Sequence, residues 1–175
     1  MAFVLQIRNI PEGNSRQRYQ LPGDQFQVDY EGIESAGDLT VWGDVSRSKD
    51  QLIFRGQFNL PVRLVCARCV EQFERMLESE LVFVLKFIPD QAEEVLEEGE
   101  SEDFYFLPEG TLEFDGTDLI RDRVILNVGL KPLCHEDCKG ICPQCGTNLN
   151  TEECSCEHED IDDRWLPLKD LTDRS

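Results

Sequence analysis

Eight cysteines constrain this chain more than any other feature, because all of them fall into close groups. Cys66 and Cys69 form a pair, Cys134, Cys138, Cys142 and Cys145 follow as a run, and Cys154 and Cys156 close the series. Clustered thiols suit disulfides in an oxidising compartment or metal ligation in a reducing one. The N-terminus points to the second. Residues 1–8 show no basic head followed by an apolar run, so they do not read as a secretory leader. The longest apolar stretch, residues 81–85, is cut by Lys86, far short of the roughly 20 residues a membrane span needs. A cytoplasmic address is expected.

Cys142-Pro143-Gln144-Cys145-Gly146 is the strongest local signal. Two thiolates separated by two residues can grip one tetrahedral ion from a tight turn. Glycine after the second cysteine permits the positive φ that aims backbone N–H groups at the sulfurs, and Pro143 fixes the first bend. Zinc is the expected metal, with an iron–sulfur cluster or a redox dithiol as alternatives. Spacing fixes the pairs better than the pairing of pairs. The favoured division joins Cys142 and Cys145 to Cys154 and Cys156, and Cys66 and Cys69 to Cys134 and Cys138, giving two ions. A rival puts Cys134, Cys138, Cys142 and Cys145 around a single ion and leaves Cys66 and Cys69 as free thiols. Either way the site reads as structural, since catalytic zinc keeps an open position and usually takes histidine or carboxylate ligands. The two histidines, His135 and His158, lie in no catalytic zinc motif. Each reads as a solvated loop residue, with a spare ligand as the alternative.

The fold class expected is α+β: an antiparallel β-sheet meander with one or two helices and a small zinc-knuckle C-terminal segment. Residues 2–10 alternate as a short strand, and residues 11–37, rich in Gly and Pro, read as loops around a strand at 25–30. Strands then start at 39–42 and run over 51–58, 62–65 and 73–87, dominated by β-branched and aromatic residues. That places Cys66 and Cys69 at a hairpin bend. Residues 104–107 are a buried strand candidate. Asp115 or Thr117 can cap a helix over 117–128, whose Ile120, Val124 and Val128 share one stripe before Gly129 ends it. The organisation expected is a β-rich domain over 1–131, with an acidic loop at 89–103, and a cysteine-rich zinc-binding segment over 132–175. The latter ends in a docking helix around Trp165, Leu166, Leu168 and Leu171, limited by Pro167.

Charge narrows the partners. The formal net charge is −19. Residues 1–86 carry 10 Lys or Arg against 12 Asp or Glu, whereas residues 87–175 carry 7 against 24. Such a chain is a poor autonomous binder of DNA or bulk RNA and of anionic membranes, and its acidic half suits a basic partner. A basic face can be assembled only on the sheet, where Arg55, Arg63, Arg68, Arg75 and Lys86 fall. Arg55 and Arg63 alternate with apolar neighbours and point to solvent. Arg68, between the hairpin cysteines, either compensates metal-bound thiolates or touches phosphate. Arg55, Arg63 and Arg68 are therefore the candidate contacts for RNA or another partner. The acidic run at 90–103 reads as a solvated segment, or as a docking site for a basic protein.

Several motifs together resemble the YceD family: Cys66-Ala67-Arg68-Cys69-Val70-Glu71, Asp118-Leu119-Ile120-Arg121-Asp122, Leu130-Lys131-Pro132-Leu133-Cys134, the run from Cys138 through Asn150, and Asp163-Arg164-Trp165. The resemblance covers roughly residues 40 to 171. It implies a bacterial or plastid-type protein, cytoplasmic or stromal, needed for accumulation of large-subunit ribosomal RNA and without known enzymatic activity. Its implied partners are ribosomal RNA or a pre-ribosomal particle, and a basic ribosomal protein. Family members vary in the cysteine-rich tail, so the tail reads as a fold staple rather than the active part. The function expected is a non-enzymatic factor in large-subunit assembly and 23S-type ribosomal RNA accumulation. A thiol redox protein using the Cys66/Cys69 dithiol is the alternative. Against it, a low-pKa cysteine usually sits at a helix N-terminus, and this pair follows a strand. A metal-dependent hydrolase is disfavoured because open-site ligands are lacking.

Overall fold

Alternating apolar residues in the middle of the chain build one long antiparallel ladder in the computed structural model, which describes residues 3–28, 30–89 and 103–156. Strand β5 (Gln51–Val65) pairs along its whole length with β6 (Gln72–Ile88), from Gln51 opposite Lys86 to Val65 opposite Gln72. Leu52, Phe54, Phe58, Leu60, Val62 and Leu64 of β5 point to one face and are buried, as do Leu77, Leu81, Phe83 and Leu85 of β6. Phe54 stacks on Phe83 with ring centroids 5.0 Å apart.

The two strands expected at 51–58 and 62–65 are one strand running through Pro61. On its other side β5 meets β4 (Leu39–Arg47) as far as Asn59, and β3 (Ile33–Ser35) from Val62 onward. Pro61 sits in the gap between these partners, where its missing N–H costs no ladder bond. Its carbonyl accepts the Ala36 N–H at 2.8 Å.

The N-terminal region departs most from the sequence expectation. Gly13–Leu21 forms a nine-residue strand, β2, antiparallel to β4 at the sheet edge. Its inward residues are only Ser15, Gln17, Tyr19 and Leu21, so its apolar signal is thin. Residues 25–28, expected as a strand, are not one; Phe26 and Val28 are nevertheless fully buried. Of the stretch expected as a strand at 2–10, only Val4–Leu5 among the described residues is extended (β1), followed by a 3₁₀ turn at Ile7–Asn9. Strand β1 pairs with β8 (Phe114–Asp115), just ahead of the helix.

The order of the main sheet is β2-β4-β5-β6-β7, with β3 beside β5. The first four strands are antiparallel neighbours. β7 (Phe104–Pro108) instead adds parallel to β6. The intervening residues give the length a parallel crossover requires. Tyr105 and Leu107 pack on the core, but Phe104 is 47% exposed, so this strand is less buried than expected.

Helix α1 (Thr117–Val128) follows the expected span, and Leu119, Ile120, Val124 and Val128 are buried against the sheet. Asp115 Oδ1 accepts the Thr117 N–H at 2.9 Å, while Thr117 Oγ1 accepts the Phe3 N–H at 2.8 Å. Gly129, at φ 74°, ends the helix. Arg75, counted above among the charges of a basic face, lies on the inner side of β6 and donates from Nη2 to the Val128 carbonyl at 3.2 Å. A cation at a helix C-terminus complements the dipole there. The architecture is α+β, with one α-helix among the described residues, none of whose helices is long and apolar enough to cross a membrane. The acidic run at 90–102, His158 and the segment around Trp165 lie outside the described residues.

Candidate metal centres

The ladder of β5 and β6 ends at the cysteine hairpin, so the sheet itself delivers Cys66 and Cys69 to one place. The hairpin closes with Cys66 N–H donating to the Glu71 carbonyl at 2.9 Å and Val70 N–H to the Cys66 carbonyl at 3.0 Å. The tail repeats this turn. Cys142 N–H donates to Thr147 at 2.8 Å and Gly146 N–H to Cys142 at 2.9 Å. The residue after the second cysteine takes positive φ in both turns, 76° at Gly146 and 63° at Val70. Sequence reading found the first through its glycine and missed the second, because a valine carries no such signal. A β-branched residue in that region is strained.

The eight sulfurs gather in two tetrads: Cys66, Cys69, Cys134 and Cys138, then Cys142, Cys145, Cys154 and Cys156. Within each, all four sulfurs lie within 4.8 Å of one another. This is the two-site division. The rival quartet of Cys134, Cys138, Cys142 and Cys145 is not the one that forms. Tetrahedral Zn–S bonds of about 2.3 Å require sulfurs about 3.8 Å apart. Cys66 and Cys138, like Cys69 and Cys134, are separated by 3.7 Å. The second tetrad is slightly tighter, with 3.5 Å from Cys145 to Cys154 and 3.3 Å from Cys154 to Cys142. Either tetrad can hold a metal ion with four sulfur ligands and no open position.

Backbone donors already face the sulfurs. Arg68 N–H points at Cys66 Sγ at 3.5 Å, Cys145 N–H at Cys142 Sγ at 3.5 Å, and Cys156 N–H at Cys154 Sγ at 3.3 Å. Such donors favour thiolate over thiol. Burial pushes Cys66 up, but the N–H groups of Cys69, Arg68 and Cys134 outweigh it and bring this thiol to about 6. Cys145 also falls to about 6, first through the Thr147 hydroxyl 3.2 Å away. Burial and the neighbouring thiols push Cys134 up to about 12, and the Cys154 and Cys145 thiols push Cys156 to about 12. Without a metal, four crowded sulfurs ionise unevenly, because each thiolate discourages the next.

The two tetrads are stitched together by residues that spacing alone does not single out. Ile141 N–H donates to the Arg68 carbonyl at 3.1 Å, and Leu149 N–H to the Gly140 carbonyl at 2.9 Å. Gly140, at φ 80°, presses on the hairpin so closely that a Cβ there would stand 2.9 Å from the Arg68 oxygen. Asn150 bridges the units. Its Oδ1 accepts the Lys139 N–H at 2.8 Å, and its Nδ2 donates to Cys138 Sγ at 3.4 Å and Asn148 Oδ1 at 2.8 Å. His135 Nδ1 lies 3.1 Å from Cys134 Sγ, at the rim of the first tetrad.

The three candidate arginines separate. Arg68 donates from Nη1 to the Cys138 carbonyl at 2.8 Å and so belongs to the first metal centre's surroundings. Arg63 is held by Glu74 at 2.9 Å and Glu34 at 3.8 Å. Arg55 is exposed on the outer sheet face, without an ion-pair partner among the described residues.

Comparison with known proteins agrees with the motifs. Residues 54–172 match the family described as "Large ribosomal RNA subunit accumulation protein YceD", and the chain belongs to that family. It is 29% identical over 181 residues to "Large ribosomal RNA subunit accumulation protein YCED homolog 1, chloroplastic" of Arabidopsis thaliana, covering 91% of this chain and 56% of the relative. It is 25% identical over 157 residues to the protein of the same description from Zea mays, with 77% and 54% covered. An uncharacterized protein of Mycobacterium tuberculosis is 29% identical over 130 residues, with 73% and 58% covered. The chain thus spans little more than half the length of these relatives. No solved structure matches it.

Two outcomes follow from this geometry. Val70→Gly relieves the left-handed strain and offsets it only partly by added unfolded-state entropy, so the metal-loaded protein gains about 0.5–1 kcal/mol in a urea titration. An unchanged or lower midpoint would mean that the hairpin relaxes around valine. The second outcome concerns pH. The lowered thiols, Cys66 and Cys145, are thiolates above about 6 and take up protons below it. Protons compete with metal at Cys134 and Cys156 already at neutral pH, and below about 6 they compete at Cys66 and Cys145 as well. Bound metal measured after dialysis is therefore retained at about pH 7.5 and lost steeply below about pH 6. Full retention at about pH 4 would contradict an all-thiolate site.

Proposed function

We propose that this chain is a non-enzymatic factor in large ribosomal subunit assembly, stapled by two structural zinc ions held by Cys66, Cys69, Cys134 and Cys138 and by Cys142, Cys145, Cys154 and Cys156. It works where ribosomes are built, in the cytoplasm or a plastid stroma, and promotes accumulation of 23S-type ribosomal RNA by binding a pre-ribosomal particle through RNA or a basic ribosomal protein. The family match over residues 54–172 carries the process. The tetrads support a structural role for the metal, because four sulfur ligands leave no position for the water that a hydrolytic zinc activates. Zinc suits the donor set, since soft thiolates in a tetrahedron near 3.7 Å apart match it.

The redox alternative loses support from the same geometry. Cys66 and Cys69 lie within 4.8 Å of each other and Cys66 is the low-pKa thiol a redox pair needs, but each also lies 3.7 Å from a tail sulfur, so a metal held by the tetrad occupies both. Charge favours recruitment to a particle over binding of free RNA. The −19 chain opposes phosphates, so contact with RNA has to be local and aided by a protein partner that its acidic half attracts. Arg55 is the arginine of the three best placed for such contact. Arg63 and Arg68 act there only if they exchange the partners they hold.

The test is genetic and physical together. In cells lacking the protein, large-subunit ribosomal RNA falls relative to small-subunit RNA, and the tagged protein sediments with precursors of the large subunit. Unchanged RNA ratios, with the protein confined to the top of the gradient, would overturn the proposal.

A further inference from the structure

We infer that the outer face of the sheet, centred on Trp42, is a binding platform for single-stranded RNA. The inference rests on the proposed role in ribosomal RNA accumulation and names the surface through which it acts.

The strand registers place the residues. On the outer side of β4, Trp42 lies directly opposite Arg18 of β2 and Gln57 of β5. One step along, Asp44 lies between Arg16 and Arg55. Directly opposed side chains on a sheet are about 5 Å apart at Cβ and diagonal ones about 7–8 Å. Trp42 therefore has Arg18 directly beside it and Arg16 and Arg55 on its two diagonals, both on the Asp44 side. All three arginines are exposed, and Trp42 is half-buried. Neither Arg18 nor Arg55 has an ion-pair partner among the described residues, and Arg16 is held only by exposed Asp44 at 3.1 Å. An open hollow of roughly 590 Å³ runs over this spot, lined by Arg16, Trp42, Asp44, Arg55, Gln57 and Glu80 among others.

Among the described residues, why this face is left uncovered follows from the packing. The buried residues of α1, β1 and β8 all join the core on the inner side. A tryptophan pointing the other way adds nothing to that core. Three arginines stand here against Asp44, Glu80 and, one step further, Glu78, a near balance on a chain of charge −19, so polyanions are repelled least at this spot and find Arg18 and Arg55 unpaired among the described residues. An aromatic ring flanked by arginines and by Gln57 suits unstacked bases, which stack on the ring while guanidinium groups hold the phosphates. Duplex RNA offers no free base face to Trp42. A basic protein would instead be repelled by the three arginines.

The experiment uses the full-length, metal-loaded protein and a fluorescein-labelled single-stranded RNA of 12 nucleotides and mixed sequence. Binding is read by anisotropy in about 50 mM salt, with the same sequence as a duplex for comparison. The single strand is expected to bind more tightly than the duplex. Trp42→Ala weakens it roughly 5- to 100-fold, as loss of one stacked base does, and Trp42→Phe restores much of it. Changing Arg16, Arg18 and Arg55 together to Gln flattens the salt dependence, lowering the slope of log K against log salt by about 2. Circular dichroism and metal content of each variant show that fold and zinc sites persist. Equal binding by Trp42→Ala and the native chain, preference for duplex, or no binding of the single strand would each overturn the inference. So would loss of particle association in Trp42→Ala with RNA binding intact, which would make this a protein-docking face. The inference can fail while the proposed function holds, because the fall in ribosomal RNA in cells lacking the protein is measured without reference to Trp42.

Discussion

The contact between the sheet hairpin and the tail, made where four cysteine sulfurs gather, is what the rest of the structure depends on. Cys66 and Cys69 are delivered by β5 and β6, while Cys134 and Cys138 come from the chain beyond the helix, so one tetrad closes a loop of about 65 residues. The same step fixes where the second tetrad stands, because Gly140 and Ile141 lie against Arg68 and Asn150 ties both units. Structural thiolate sites in zinc-finger peptides contribute on the order of 10 kcal/mol of binding energy, far more than the small apolar cluster around Cys66, Cys69 and Cys138 could supply. The main core is a separate group of residues between sheet and helix. With metal in the tetrads, two sources of stability would act on two parts of the chain and meet at the hairpin, where Phe73 packs on both.

This division bears on function. The inner side of the sheet is used up by the helix and by β1 and β8, and the hairpin end by the tetrads. What remains is an outer face that no other described element covers. A chain of −19 has to present any attraction for RNA on a restricted surface, and the nearly balanced charge of residues 1–86 makes that possible only on the sheet side. On the proposed role, the acidic half would repel free RNA from the rest of the molecule and so favour binding where a basic protein is also present.

Much of this was legible in the sequence, and the limits have physical causes. Cys-x-x-Cys-Gly at Cys142 announces its turn because the glycine marks a positive φ; the hairpin at Cys66 makes the same turn with Val70, and only the backbone shows it. The favoured pairing of cysteine pairs is the one the sulfurs adopt, although spacing alone left a rival open. Strands β5 and β6 were read from long runs of Leu, Val and Phe, whereas β2 escaped notice because an edge strand buries one thin face. Pro61 looked like a break because a proline normally costs a ladder bond, and here it falls between two partners. The parallel pairing of β7 has no local signature, since strand direction depends on a crossover. Arg75 shares the period-two phase of Phe73 and Leu77 and so faces inward, which its charge conceals. Trp42 gave no signal as a surface residue, because its orientation follows from register.

The most direct test of the two-tetrad account counts metal and thiols on the same native sample. Elemental analysis of the purified full chain is predicted to give two zinc ions per molecule, with none of the eight thiols reacting with a thiol reagent until the protein is denatured in chelator. One zinc ion with four thiols reactive in the native state would contradict it, and would return Cys66 and Cys69 to the role of a free dithiol.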